Sequence, residues 1–211
     1  AMGADCGRVV VAAAEAEIAD VVIAAGGEVV LTDPDLPSGS DRIYQALEKI
    51  DPAGKHQRIV NMQGDLPTLE PGLIARVLDV LGTHDMSTLI AEIVDDAERD
   101  DPNVVKAVMA MQTAQEGRAL YFTRATAPTG PGPLYHHIGI YAYQRAALAQ
   151  FVALPPSPLE QRERLEQLRA LEAGMGIAAA CVGTVPVGVD TPQDLELANR
   201  ILTGHTAPEG N

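Results

Sequence analysis

The chain has 211 residues, is 46% hydrophobic and carries 15 basic against 29 acidic side chains, a formal net charge of −14. That length can bury one sizeable core, and that charge excludes a nucleic-acid partner, which needs a basic face. No run of 18 or more apolar residues occurs and the N-terminus has no signal-type pattern, so no membrane is expected as a partner and the expected location is the cytoplasm.

In chain order, residues 9–13 read as a short apolar strand. A helix follows, with Ile18, Val21, Val22 and Ala25 at helical spacing and Gly26-Gly27 closing it. Residues 28–32 read as a second strand and residues 34–40 as a turn-rich loop. The next helix buries Ile43, Leu47 and Ile50, and an apolar strand at 58–63 stops at Gly64-Asp65-Leu66-Pro67. This rhythm predicts an α/β class with a doubly wound, mostly parallel Rossmann-like sheet, in which ligands gather at the carboxyl ends of strands.

After Pro71 comes a helix with Ile74, Val77, Leu78 and Leu81 inward and Gly82 past its end. From 87 to 143 the pattern changes to successive strands at 87–94, 104–111, 118–123 and 136–143, with Glu116-Gly117 as an expected hairpin turn. We read this stretch as a smaller mixed or antiparallel section of one domain spanning 1–211. Two helices have marked starts, Ser157-Pro158-Leu159-Glu160 and Thr191-Pro192-Gln193-Asp194, with a strand near 177–182 between them. Cys6 and Cys181 lack metal-ligand spacing and read as small packed side chains in a reducing compartment. The chain opens almost directly on a strand and has no Gly-rich or basic phosphate loop, so the domain is expected to be N-terminally incomplete.

Several residues could carry chemistry. Asp65 ends a buried strand, where a carboxylate can hold a divalent cation or simply brace a turn. Asp190 precedes Thr-Pro and a helix, where capping is the ordinary role. His137 and Tyr141 are four apart in a strand and share a face, as ligand groups or as packing. Glu166 and Gln167 read alone as a solvated helix face. Arg42 and Arg124 suit either anion clamps or surface ion pairs.

Eight segments, in order, resemble the 3-deoxy-manno-octulosonate (Kdo) cytidylyltransferases: Ser38-Gly39-Ser40-Asp41-Arg42, the run from Val60 to Pro67, Asn103 to Val108, Tyr121 to Thr126, His137 to Tyr143, Ser157 to Glu160, Leu165 to Arg169, and Gly188 to Pro192. The resemblance implies CMP transfer from CTP to the anomeric hydroxyl of Kdo, releasing pyrophosphate, in lipopolysaccharide biosynthesis. It implies Mg²⁺ on the catalytic aspartates Asp65 and Asp190, and a homodimer formed through the strand-rich section 87–143, which would also bind the sugar and whose apolar Leu134, Ile138 and Ile140 read as too many for one small section to bury. It implies a sugar site at His137, Tyr141, Glu166 and Gln167, anion contacts at Arg42 and Arg124, and a base-lining site at Ser38, Gly39 and Gln63. Leu66 stands where the family has Glu, and Ala13-Ala14 where it has Thr-Asp. The competing readings are a cytidylyltransferase for another sugar acid, or a non-catalytic fragment that only dimerises.

Overall fold

A computed structural model describes residues 2–189 and 191–204; Asp190, one of the two expected metal ligands, lies outside the described residues. After a 3₁₀ turn at Met2–Ala4, the chain forms β1 (Val11–Ala13), α1 (Ala16–Ala24) and β2 (Val29–Leu31), in which β1 and β2 pair in parallel as a sheet of their own. Helix α2 (Gly39–Ile50) starts at Ser38, whose Oγ accepts from the Asp41 N–H at 3.2 Å, and ends with Lys49 in its last turn. Both features complement the helix ends.

The remaining strands form one six-stranded sheet. They are β3 (Arg58–Met62), β4 (Met86–Glu92), β5 (Lys106–Met111), β6 (Glu116–Thr123), β7 (Tyr135–Gln144) and β8 (Ile177–Val182), in spatial order β3-β7-β4-β8-β6-β5. Only β4 and β8 pair in parallel; every other pairing is antiparallel. The α/β class therefore stands, with a mixed sheet. The stretch 87–143 supplies four of the six strands of that sheet, β4 to β7, including the edge strand β5. At one end the sheet curls, so that the Lys106 end of β5 meets His136, and the His137 N–H donates to the Val105 carbonyl at 2.8 Å.

Helices cover both faces. Against one lies α3 (Pro71–Leu81), with Ile74, Val77 and Leu81 packed on Leu89, Ile138, Ile140 and Ala142. Against the other lie α2, α5 (Arg145–Ala153), α6 (Pro158–Glu163) and α7 (Leu168–Glu172), around Phe122, Tyr141, Tyr143, Leu148 and Phe151. A short α4 (Asp96–Asp100) and the terminal α8 (Pro192–Leu202), with a Thr191–Asp194 capping box, complete the described chain.

Two expectations are corrected here. Glu116 and Gly117 do not turn the β5–β6 hairpin; they begin β6, and the turn precedes them, where the Thr113 Oγ accepts from the Gln115 and Glu116 N–H groups. Glycine is required at 117 because a Cβ there would stand 2.5 Å from the Ala110 carbonyl oxygen across the strand pair. Leu134, Ile138 and Ile140 are buried within the chain, so they present no apolar surface to a second copy.

Candidate functional site

Strand β7 alternates faces, as a pleated strand must. Ile138, Ile140 and Ala142 enter the core under α3, while His137, Gly139, Tyr141 and Tyr143 line a cavity of about 410 Å³ on the other side. The rings of Phe122, His137, Tyr141, Tyr143 and Phe151 follow one another with centroids 4.9, 5.4, 6.1 and 6.2 Å apart, forming an aromatic wall. Gly139 leaves a gap in that wall, and a Cβ placed there would meet the Gln63 side chain at 3.7 Å.

Burial, with a smaller contribution from His136, holds the His137 imidazole down to about 3, so it is neutral at ordinary pH. Its Nε2 lies 3.1 Å from the Thr88 Oγ. Burial likewise pushes the Tyr141 phenol up, reinforced by Tyr143 and Glu166, and pushes the Tyr143 phenol up as well. The wall thus offers neutral hydrogen-bonding groups, the chemistry a polyhydroxylated ligand needs.

Opposite the wall runs the corner between α6 and α7. Helix α6 ends at Arg164, which takes a left-handed conformation (φ 57°, ψ 47°), and the chain then turns Glu166 and the buried Gln167 into the cavity. Glu166 Oε2 accepts from the Ser40 Oγ at 2.9 Å, while Glu166 Oε1 is buried without a partner among the described residues. Such an orphan acceptor is costly unless a ligand donates to it.

Arg124, at the end of β6, also lines the cavity. Its Nε donates to the Glu163 carbonyl at 3.0 Å and its Nη1 to the Pro102 carbonyl at 2.9 Å. The Glu163 carboxylate accepts from the Tyr121 and Thr123 hydroxyls and the Arg124 N–H, which locks the corner to β6. The buried Lys106 holds the other side, donating to the Asp101, Val104 and Arg124 carbonyls.

Of the residues expected from sequence, Gln63, Arg124, His137, Tyr141, Glu166 and Gln167 converge on this one cavity, from four separate stretches of chain. Ser38, Gly39 and Arg42 do not line it. Ser38 caps α2, and Arg42 holds the loop before that helix, donating to the Thr32 Oγ at 2.6 Å and the Asp33 carbonyl at 3.0 Å. The Ser40–Glu166 bond nevertheless ties this helix start to the cavity. Ser40, Tyr143 and Arg164 were missed. Tyr143 could have been found by extending the two-residue period from His137 and Tyr141; no sequence signal marks Arg164.

Asp65 sits in the turn after β3, exposed, and its carboxylate makes no hydrogen bond or ion pair among the described residues. Its carbonyl accepts from the Val189 N–H at 2.8 Å, which brings the segment leading to Asp190 against the β3 turn. A free carboxylate at a strand end fits a hard divalent cation, because Mg²⁺ takes few protein ligands and completes its shell with phosphate and water. No group of three or more potential ligands exists among the described residues.

The chain matches the Cytidylyltransferase family over residues 3–177. It is 65% identical over 204 residues to a 3-deoxy-manno-octulosonate cytidylyltransferase of Parvibaculum lavamentivorans, covering 96% of this chain and 79% of the relative. A protein of the same name from Rhodospirillum rubrum is 63% identical, with 96% and 82% covered. Among solved structures, a CMP:2-keto-3-deoxy-manno-octonic acid synthetase complexed with CTP superposes with a TM-score of 0.85 at 32% identity, covering 95% of this chain and 82% of that one.

Proposed function

Because the chain belongs to the 3-deoxy-manno-octulosonate cytidylyltransferase family, we infer that it transfers CMP from CTP to the anomeric hydroxyl of Kdo, releasing pyrophosphate. The observation that carries this reading is the convergence of Gln63, Arg124, His137, Tyr141, Glu166 and Gln167 on one cavity. In the transfer, the sugar oxygen bonds to the α-phosphorus as the bond to the bridging oxygen of the leaving pyrophosphate breaks. Such a displacement depends on alignment and charge neutralisation more than on covalent help.

The chain's own residues provide the alignment. Neutral His137 and Tyr141 present hydrogen-bonding groups along one strand face, and the unpartnered Glu166 Oε1 accepts from a sugar hydroxyl. Arg124, anchored on two carbonyls, keeps guanidinium N–H groups for an anion. Ser38 and Gly39 would border the nucleotide base, with Arg42 holding the loop beside them. A magnesium ion held by Asp65 and Asp190 would supply positive charge to the nucleotide phosphates and polarise the attacking hydroxyl.

The product would feed lipopolysaccharide assembly in the cytoplasm; both cysteines are free, and no described helix is long and apolar enough to cross a membrane. A homodimer rests on the resemblance alone, and light scattering at micromolar concentration checks it. The full chain, given CTP, Kdo and Mg²⁺, should form CMP-Kdo and pyrophosphate, with Kdo used in preference to a sialic acid. Asp65→Ala should lower kcat by about 10²- to 10³-fold with the melting temperature unchanged, since the carboxylate supports no fold contact. Product formation from the sialic acid alone would overturn the assignment.

A further inference from the structure

The corner residue Arg164 has no part in the reading above, yet it lines the cavity and its guanidinium makes no hydrogen bond or ion pair among the described residues. Arg169, five residues on, is by contrast committed to Glu160. Its backbone is left-handed, a conformation that costs a side-chain-bearing residue energy and is retained where something else is gained. Glycine or asparagine would fill that position with less strain.

Charge gives the reason for arginine. The whole chain is at −14, but the cavity lining holds two guanidinium groups, Arg124 and Arg164, against the single carboxylate of Glu166. Without Arg164 the lining is formally neutral; with it the lining is +1, matched to a monoanion and not to a triphosphate. Arg124 has already given its Nε–H and one Nη1–H to carbonyls, which leaves three of the five guanidinium N–H groups for an anion.

We propose that Arg164 is a specificity-determining residue that binds the carboxylate of the sugar acid, forming with Arg124 a two-guanidinium anion site in the cavity lining. The proposal rests on the function inferred above and deepens it. It is tested by steady-state kinetics of the full chain, varying Kdo and CTP in turn, for the wild type, Arg164→Met and Arg164→Lys. A Kdo derivative whose carboxylate is converted to the carboxamide serves as a second substrate. Arg164→Met should raise the KM for Kdo about 10- to 100-fold, leave the KM for CTP unchanged, and have no effect on the carboxamide. Arg164→Lys should recover most of the loss.

An unchanged KM for Kdo, a raised KM for CTP, or equal weakening of acid and carboxamide would overturn the proposal and leave the transferase assignment standing. Absence of product with the wild type would overturn the assignment instead. In that event calorimetric titration of Kdo, which needs no turnover, still decides on Arg164. Wild-type binding that weakens in Arg164→Met supports the anion site; equal binding, or none to either protein, removes it.

Discussion

The small sheet of β1 and β2, a strand–helix–strand unit, and the six-stranded sheet, with β5, β6 and β7 in direct succession, hold together by different means. In the stretch from β1 to Thr32, few side chains are buried: Ala13, Ala19 and Thr32. Val11, Ile18, Ile23 and Leu31 are exposed, and Val21 is 70% exposed. The ribbon is fastened to α2 by polar ties: Arg42 and Lys49 donate to Asp33 and Leu31 carbonyls, and the Gln45 side chain accepts from the Asp33 N–H. The exposed Arg8–Glu28 ion pair adds little more. The six-stranded sheet instead packs fully buried Leu89, Ile90, Phe122, Ile140, Leu148 and Leu168 into two apolar layers. Global stability therefore resides in the larger sheet, and the ribbon is a low-stability unit that can open without it.

The largest test of that contrast is Phe122→Ala. The side chain is fully buried and carries the His137 end of the aromatic wall, so its loss should cost about 3–5 kcal/mol in urea unfolding. A cost below that of a surface change would break the comparison. Gly117→Ala should come next, at about 1–3 kcal/mol, because its methyl group would meet the Ala110 backbone and force the β5–β6 pair apart. Alanine tolerated at 117 would mean that this pair has slack.

Acid should act through His137. The ring is neutral when folded and titrates near 6.5 when unfolded, so the unfolded chain binds the extra proton. Stability is complete above about 6.5 and falls as pH drops towards about 3. The slope contributed is roughly 1.4 kcal/mol per pH unit at most, less in proportion to the ring's exposure on the cavity. Thermal melts of His137→Gln against wild type across that range should differ in slope; parallel curves would contradict the assignment of a neutral buried ring. The smallest effect is expected in the ribbon, where Val21→Ala should change unfolding free energy by no more than about 0.5 kcal/mol. A larger cost would show that α1 packs on something in solution.

Much of this was legible in sequence because it rests on local chemistry. Pro71, Pro158 and Thr191 mark helix starts that the structure reproduces, and the apolar runs place all eight strands to within a few residues. Helices α5 and α7 were not read: α5 starts at Gln144 without a side-chain cap, and α7 is five residues long. Glu166 and Gln167 look like a solvated face when a continuous helix is assumed. Only the left-handed break at Arg164, which no residue type announces, turns them inward. The mixed sheet was also hidden, since pairing partners depend on contacts between distant segments. The place of Asp65 after a strand was legible in sequence, whereas its approach to the 188–189 segment is a tertiary event.

The alternation of β7 has an evolutionary consequence. Side chains at 138, 140 and 142 pack in the apolar layer under α3, and those at 137, 141 and 143 face the cavity and the opposite layer. Mutations can therefore drift on one side of a single strand without being felt on the other. A lineage could trade Ile138 or Ile140 for other aliphatics to suit its growth temperature while keeping its choice of sugar. Conversely, it could explore new acceptors by changing the odd-numbered positions, with Gly139 as the place where added volume would first exclude the present one.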